Sequence, residues 1–218
     1  MSETRVTIRC VTVYCSSSND LHASYFDAAA ALGQGLATRG WNLVYGGGSV
    51  GLMGQMAASC READGHVIGI ITKRLQAAEQ MDDLNHENVI VDTMRERKRL
   101  LEHRGDAFVV LPGGLGTLEE FFEILVGHLL GEHHKPIVML NMPDPNHPGQ
   151  GYYDPLIDMI DHMIKGQFAR EGVKGLFSVV STVEELFNEL EQLDGTAVQV
   201  GGHLDLVPAA VEPKDETD

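Results

Sequence analysis

Seven short runs of apolar and β-branched residues, at 6–14, 42–45, 66–71, 88–91, 107–111, 137–141 and 178–180, are separated mostly by segments with a helical period. Short apolar runs bounded by turn formers predict buried strands. Strands joined through helices run parallel, because a crossover helix brings the chain back to start in the same direction. The intervening periods predict helices over 21–39, 51–64, 94–104, 117–131, 152–165 and 182–192. The last opens on "STVEEL", where Ser181 or Thr182 can cap and Glu184 or Glu185 favours the first turn. The expected class is α/β, a doubly wound and mainly parallel sheet with helices on both faces. Residues 1–192 read as one domain; the stretch from 193 to 218 has no helical period and reads as a partly disordered tail.

Composition narrows the partners. With 32 acids against 16 Lys and Arg the formal charge is −16, which disfavours a sequence-independent grip on nucleic acid. No run of about 18 uninterrupted apolar residues is present, so no membrane helix is expected. Cys10, Cys15 and Cys60 are too few and too scattered for a disulfide framework. They read as core thiols of a cytoplasmic protein. The ten histidines include the adjacent pair His133 and His134 in "GEHHKP". Neighbouring residues diverge on a helix and no HExxH is present, so no metal site is expected. Ser16, Ser17 and Ser18 of "CSSSND" have no obvious His partner and read as polar lining at the end of the first strand, not as nucleophiles.

In a doubly wound sheet the ligand sits beyond the carboxyl ends of the strands. Two glycine-rich turns leave strands there. In "YGGGSVGLMG" Gly46, Gly47 and Gly48 allow close backbone approach, and their amides can cradle an anion. In "LPGGLGTLEE" Pro112 ends a strand, Gly113, Gly114 and Gly116 form the loop, and Thr117 is positioned to cap a helix whose first turn carries Glu119 and Glu120. Neither turn is a Walker A loop, and neither combines GxGxxG spacing with an acid at the end of the next strand, which argues against ATP hydrolysis and hydride transfer. One acid near a helix start complements the dipole. A carboxylate beside a phosphate loop is repelled by phosphate, so it is expected to face another part of the ligand. In "MRERKRLLEHR" Met94, Arg97, Lys98 and Leu101 share one face, which places two cations on an apolar stripe.

Taken in order and spacing, "YGGGSVGLMG", "MRERK" and "PGGLGTLEE" resemble the Lonely Guy family, cytokinin riboside 5′-monophosphate phosphoribohydrolases whose members were often labelled lysine decarboxylases. The resemblance runs from about residue 6 to 192. It implies a Rossmann-like fold, a homodimer with sites near the interface, no cofactor, and hydrolysis of AMP-like nucleotides to base and ribose 5-phosphate. Arg97 and Glu120 would then be the catalytic pair. Glu79 of "LQAAEQ", Lys98, Gly113, Gly114, Gly116 and Thr117 would contact substrate, joined on the residue reading by Met94, Glu119, Gly47, Gly48 and Ser17. The chain departs from the common family pattern at "CSSS" (15–18), where many members read CGSS, and at Val126-Gly127, where many have Thr-Trp. The alternative is a non-catalytic nucleotide-binding or carrier protein of the same fold. Decarboxylation is weaker still, since no lysine sits in an identifiable pyridoxal-binding context.

Overall fold

The computed structural model describes residues 3–78 and 81–199. In chain order the strands are β1 (Glu3–Arg5), β2 (Cys10–Tyr14), β3 (Asn42–Tyr45), β4 (Val67–Thr72), β5 (Glu87–Val91), β6 (Ala107–Val110), β7 (Ile137–Leu140), β8 (Ser178–Val180) and β9 (Ala197–Gln199). The helices are α1 (Ala23–Thr38), α2 (Gly51–Glu62), α3 (Lys73–Ala78), α4 (Met94–Arg104), α5 (Leu115–Leu130), α6 (Asp154–Lys165) and α7 (Val183–Leu193), with a 3-10 helix at Glu171–Leu176.

Strands β2 to β8 form one sheet in the order β5-β4-β3-β2-β6-β7-β8, and every pairing in it is parallel. The expected doubly wound α/β sheet is present. Side chains alternate along each strand, as the pleat requires. Val11, Val13, Leu43, Tyr45, Val109 and Val138 face a core shared with α1, α2 and α7. Tyr14, Val44, Ile70, Phe108, Val110 and Met139 face the other layer, with α4, α5 and α6. Fully buried side chains such as Leu32, Leu36 and Phe121 each contribute roughly 1.5–3 kcal/mol of burial.

From β2 the chain winds outward through β3, β4 and β5, then returns through α4 to lay β6 on the opposite side of β2. The connections leaving β2 and β6 therefore diverge to opposite faces and open a crevice above that seam, where doubly wound folds bind ligands.

Three boundaries differ from expectation. The run 6–14 yields a strand only at 10–14, while the Val6 amide and carbonyl bond to Thr196 and Gly195. Next to them β1 pairs antiparallel with β9, so residues 197–199 of the expected tail close a small second sheet. Residues 200–218 lie outside the described residues. Helix α5 begins at Leu115, with Gly114 extended as its N-cap and the Leu118 amide bonded to the Gly114 carbonyl. Thr117 is thus inside the helix and does not cap it, and Glu119 and Glu120 fall in its second turn. No helix among the described residues is long and apolar enough to cross a membrane.

Candidate active site

The crevice above the β2–β6 seam holds a cleft of about 290 Å³, near the lower end for small-molecule sites. One wall is the turn after β2, Cys15 to Ser18. The opposite wall is the start of α5 at Gly114, Leu115, Gly116 and Thr117, and the floor is Met53, Arg97 and Glu120.

The α5 wall is shaped for an anion. The first amides of a helix have no intrahelical acceptor, and no side chain caps these. They carry the positive end of the helix dipole. A methyl group built on Gly114 or Gly116 would meet nothing within 4 Å, so no internal contact demands glycine there. What the two glycines leave clear is the approach to the amides. Helix α2 differs: its Gly51 amide is taken by Asn19 Oδ1 at 2.9 Å and its Leu52 amide by the Ser16 carbonyl at 3.0 Å.

Arg97 projects from α4 to the bottom of the cleft with only 6% of its surface exposed. Its Nε donates to the Ile70 carbonyl at 3.0 Å, Nη2 to the Gly46 carbonyl at 3.3 Å, and Nη1 to Glu120 Oε1 at 3.3 Å. A buried guanidinium needs such acceptors, since its five donors cannot lose their charge. Gly46 is required for this arrangement, because a methyl there would stand 2.3 Å from Arg97 Nη2. Thr93 sets the register of α4, its hydroxyl accepting the Glu96 amide at 3.2 Å.

Comparison with known proteins gives this geometry a family. A family model described as possible lysine decarboxylase matches residues 53–190. The cytokinin riboside 5′-monophosphate phosphoribohydrolase LOG of Oryza sativa subsp. japonica is 40% identical over 190 residues, covering 87% of this chain and 76% of that protein. LOG5 of Arabidopsis thaliana, a cytokinin riboside 5′-monophosphate phosphoribohydrolase by name, is 40% identical over 181 residues, 83% of this chain and 76% of its own.

The chain belongs to the LOG family.

The resemblance carried by the three motifs is therefore borne out, and solved structures agree on the fold. The molybdenum cofactor carrier protein of Chlamydomonas reinhardtii superposes with a TM-score of 0.63 at 22% identity over 85% of this chain and 98% of its own. The molybdenum cofactor binding protein of Rippkaea orientalis gives 0.62 at 21% identity over 87% and 98%.

Of the residues expected at the site of this LOG-family chain, Arg97, Glu120, Ser17, Gly114, Gly116 and Thr117 meet in the cleft. Gly113 lies behind it, its α-carbon packed against the Thr117 side chain. Lys98 and Glu119 stand on the flank and pair with each other at 2.8 Å, with Glu123 at 3.2 Å from the same ammonium. The hydrogen bond to Glu119 raises the Lys98 pKa against the opposing effect of burial. Met94 is exposed at the start of α4.

Gly47 and Gly48 do not join the lining. Gly47, at φ +80°, gives its carbonyl to the Asp82 amide, and Gly48 bridges Met81, so the middle of the triple glycine anchors the segment at 81–82. Glu79 lies outside the described residues. Met53, Cys15 and Leu115 line the cleft without having been expected there; for Met53 the signal was its place in the first turn of the helix following the glycines. Among the described residues no three His, Cys, Asp or Glu side chains group as metal ligands.

Proposed function

We propose that the protein hydrolyses the N-glycosidic bond of cytokinin riboside 5′-monophosphates and AMP-like nucleotides, releasing the free base and ribose 5-phosphate. The observation that carries this reading is the Arg97–Glu120 ion pair, largely buried and 3.3 Å apart, facing an uncapped helix start across one cleft. The 5′-phosphate takes the α5 amides. Glu120 lies one helical turn beyond Gly116, which directs its carboxylate toward the ribose.

As the C1′–N bond breaks, the base departs with the bonding electrons and takes up a proton. Positive charge builds on the ribose, and the carboxylate stabilises it through space. A water oxygen bonds to C1′ and its proton passes to Glu120, which hands it on through solvent to the departed base and so regains its charge. Arg97, locked by two backbone carbonyls, keeps the carboxylate aimed. Holding the remote phosphate supplies binding energy for orientation at C1′, which makes the monophosphate a better substrate than the nucleoside.

The test is release of free base from AMP and from isopentenyladenosine monophosphate, followed by chromatography. Glu120→Ala is expected to lower kcat by at least about 10²-fold. Failure of every nucleoside monophosphate to release base sinks the reading. AMP binding without turnover, unchanged in Glu120→Gln, would identify a non-catalytic nucleotide-binding protein. The same reading includes a cytoplasmic homodimer with the cleft near its interface. For the interface its support is Leu115, a large apolar side chain that lines the cleft and is 87% exposed.

A further inference from the structure

The connection from β7 to α6 carries "GYYD", residues 151–154, which no site motif includes. Its two tyrosines both end on the loop that leads into α5. The Tyr153 hydroxyl donates to the Leu111 carbonyl at 2.7 Å and the Tyr152 hydroxyl to the Gly113 carbonyl at 2.8 Å. Between them the Ser16 amide donates to the Pro112 carbonyl at 3.2 Å. Three successive carbonyls of the loop are thus engaged by protein donors.

In a trans peptide the C=O and N–H point in opposite directions, and the described residues contain no cis bond. The direction of the Gly113 carbonyl therefore fixes that of the Gly114 N–H. Because this peptide lies between two glycines, it meets the least steric resistance to flipping. A flipped peptide would put a carbonyl oxygen, with its partial negative charge, where an anion has to sit.

We infer that Tyr152 is a positioning residue: its hydroxyl latches the Gly113–Gly114 peptide so that the loop presents N–H donors, and no carbonyl oxygen, to the phosphate group of the ligand.

The latch is itself braced. The Tyr152 ring meets Tyr25 edge-on at 5.8 Å and Tyr153 at 4.9 Å, and its amide bonds to the Met142 carbonyl. Asn141 holds the turn from beneath, accepting the Tyr153 amide at 2.6 Å and donating to Asp154 Oδ1 at 2.7 Å. Burial pushes both phenols above their ordinary range, so each remains a protonated donor.

The inference rests on the phosphoribohydrolase reading, and the experiment separates the two. Tyr152→Phe is near-isosteric and removes only the hydroxyl. Its KM for AMP is expected to rise about ten-fold while kcat stays within about two-fold of wild type, the pattern of lost ground-state binding. Calorimetry with AMP and with adenosine is the second readout: AMP affinity falls by the same factor and adenosine affinity does not change. Equal KM and equal AMP affinity in the two proteins overturn the latch while wild-type turnover upholds the activity. A fall in kcat alone, or equal weakening of AMP and adenosine, also overturns it by showing a purely structural role. If wild type binds AMP without hydrolysing it, the activity fails and the calorimetric ratio still decides the latch. If wild type does neither, both fall.

Discussion

Arg97 draws its three acceptors from three elements: Ile70 in β4, Gly46 beyond β3 and Glu120 in α5. A single added methyl tests whether that fixation matters. In Gly46→Ala the new carbon would lie 2.3 Å from the guanidinium and 3.1 Å from Met53 Sδ, so Arg97 has to move. A displacement near 1 Å at the reacting groups lowers kcat/KM by about 10²-fold; an assay showing wild-type kcat/KM would refute this. The residue pattern marked Arg97 together with Lys98 and Glu120 together with Glu119, and the family resemblance singled out Arg97 and Glu120, which lie side by side in the cleft. The role of Gly46 was not legible, since a glycine that makes room for a side chain 51 residues away reads the same as a glycine that turns.

His133 sets a different residue-scale expectation. Its Nε2 lies 2.8 Å from the Ile124 carbonyl and its Nδ1 accepts the Lys135 amide, so both nitrogens are matched in the neutral ring. Burial lowers its pKa to about 4 from an ordinary 6.5, with the hydrogen bond to Ile124 opposing. Between those values the unfolded chain carries a proton that the folded chain does not. Stability therefore falls as pH drops from 6.5 to 4, by roughly 3 kcal/mol at most. Urea unfolding at pH 7 and pH 4 measures the loss, and His133→Leu should shrink it. An equal loss in that variant would assign the pH dependence elsewhere.

At the scale of elements, α1 and α2 meet backbone to backbone at Gly33, where a methyl would stand 2.2 Å from the Met56 carbonyl oxygen. Gly33→Ala is expected to force the helices apart and cost about 1–3 kcal/mol, read as a lower urea midpoint; an unchanged midpoint would contradict that close approach. Helix α7 was legible to within one residue at each end, and of the alternatives "STVEEL" offered, Thr182 and Glu185 form the reciprocal cap. Helix α5 was misjudged at its start. An extended Gly114 does the work of an N-cap through its backbone, and a polar residue three positions later drew the boundary to itself. The pairing of β1 with β9 was not legible either. It joins three-residue segments from opposite ends of the described chain, and no local periodicity encodes a partner so distant.

For the whole molecule, the alternation of strands and helices gave the parallel sheet, and the return from β5 through α4 to β6 put the crevice where two chemically unusual turns already pointed. The exposed Leu115 beside the cleft predicts self-association over that side of the molecule. Light scattering is expected to give about twice the 23.8 kDa chain mass, and a species at the chain mass would disprove the dimer.

Arg97 is anchored on strands lying on one side of β2, whereas Glu120 follows β6 on the other side. The ion pair is thus a clasp across a joint between two half-sheets. Turnover becomes a gauge of that joint: a perturbation that parts β2 from β6 separates acid from cation while each half-sheet still holds its own hydrogen bonds, so catalysis would register the opening before any measure of secondary structure did.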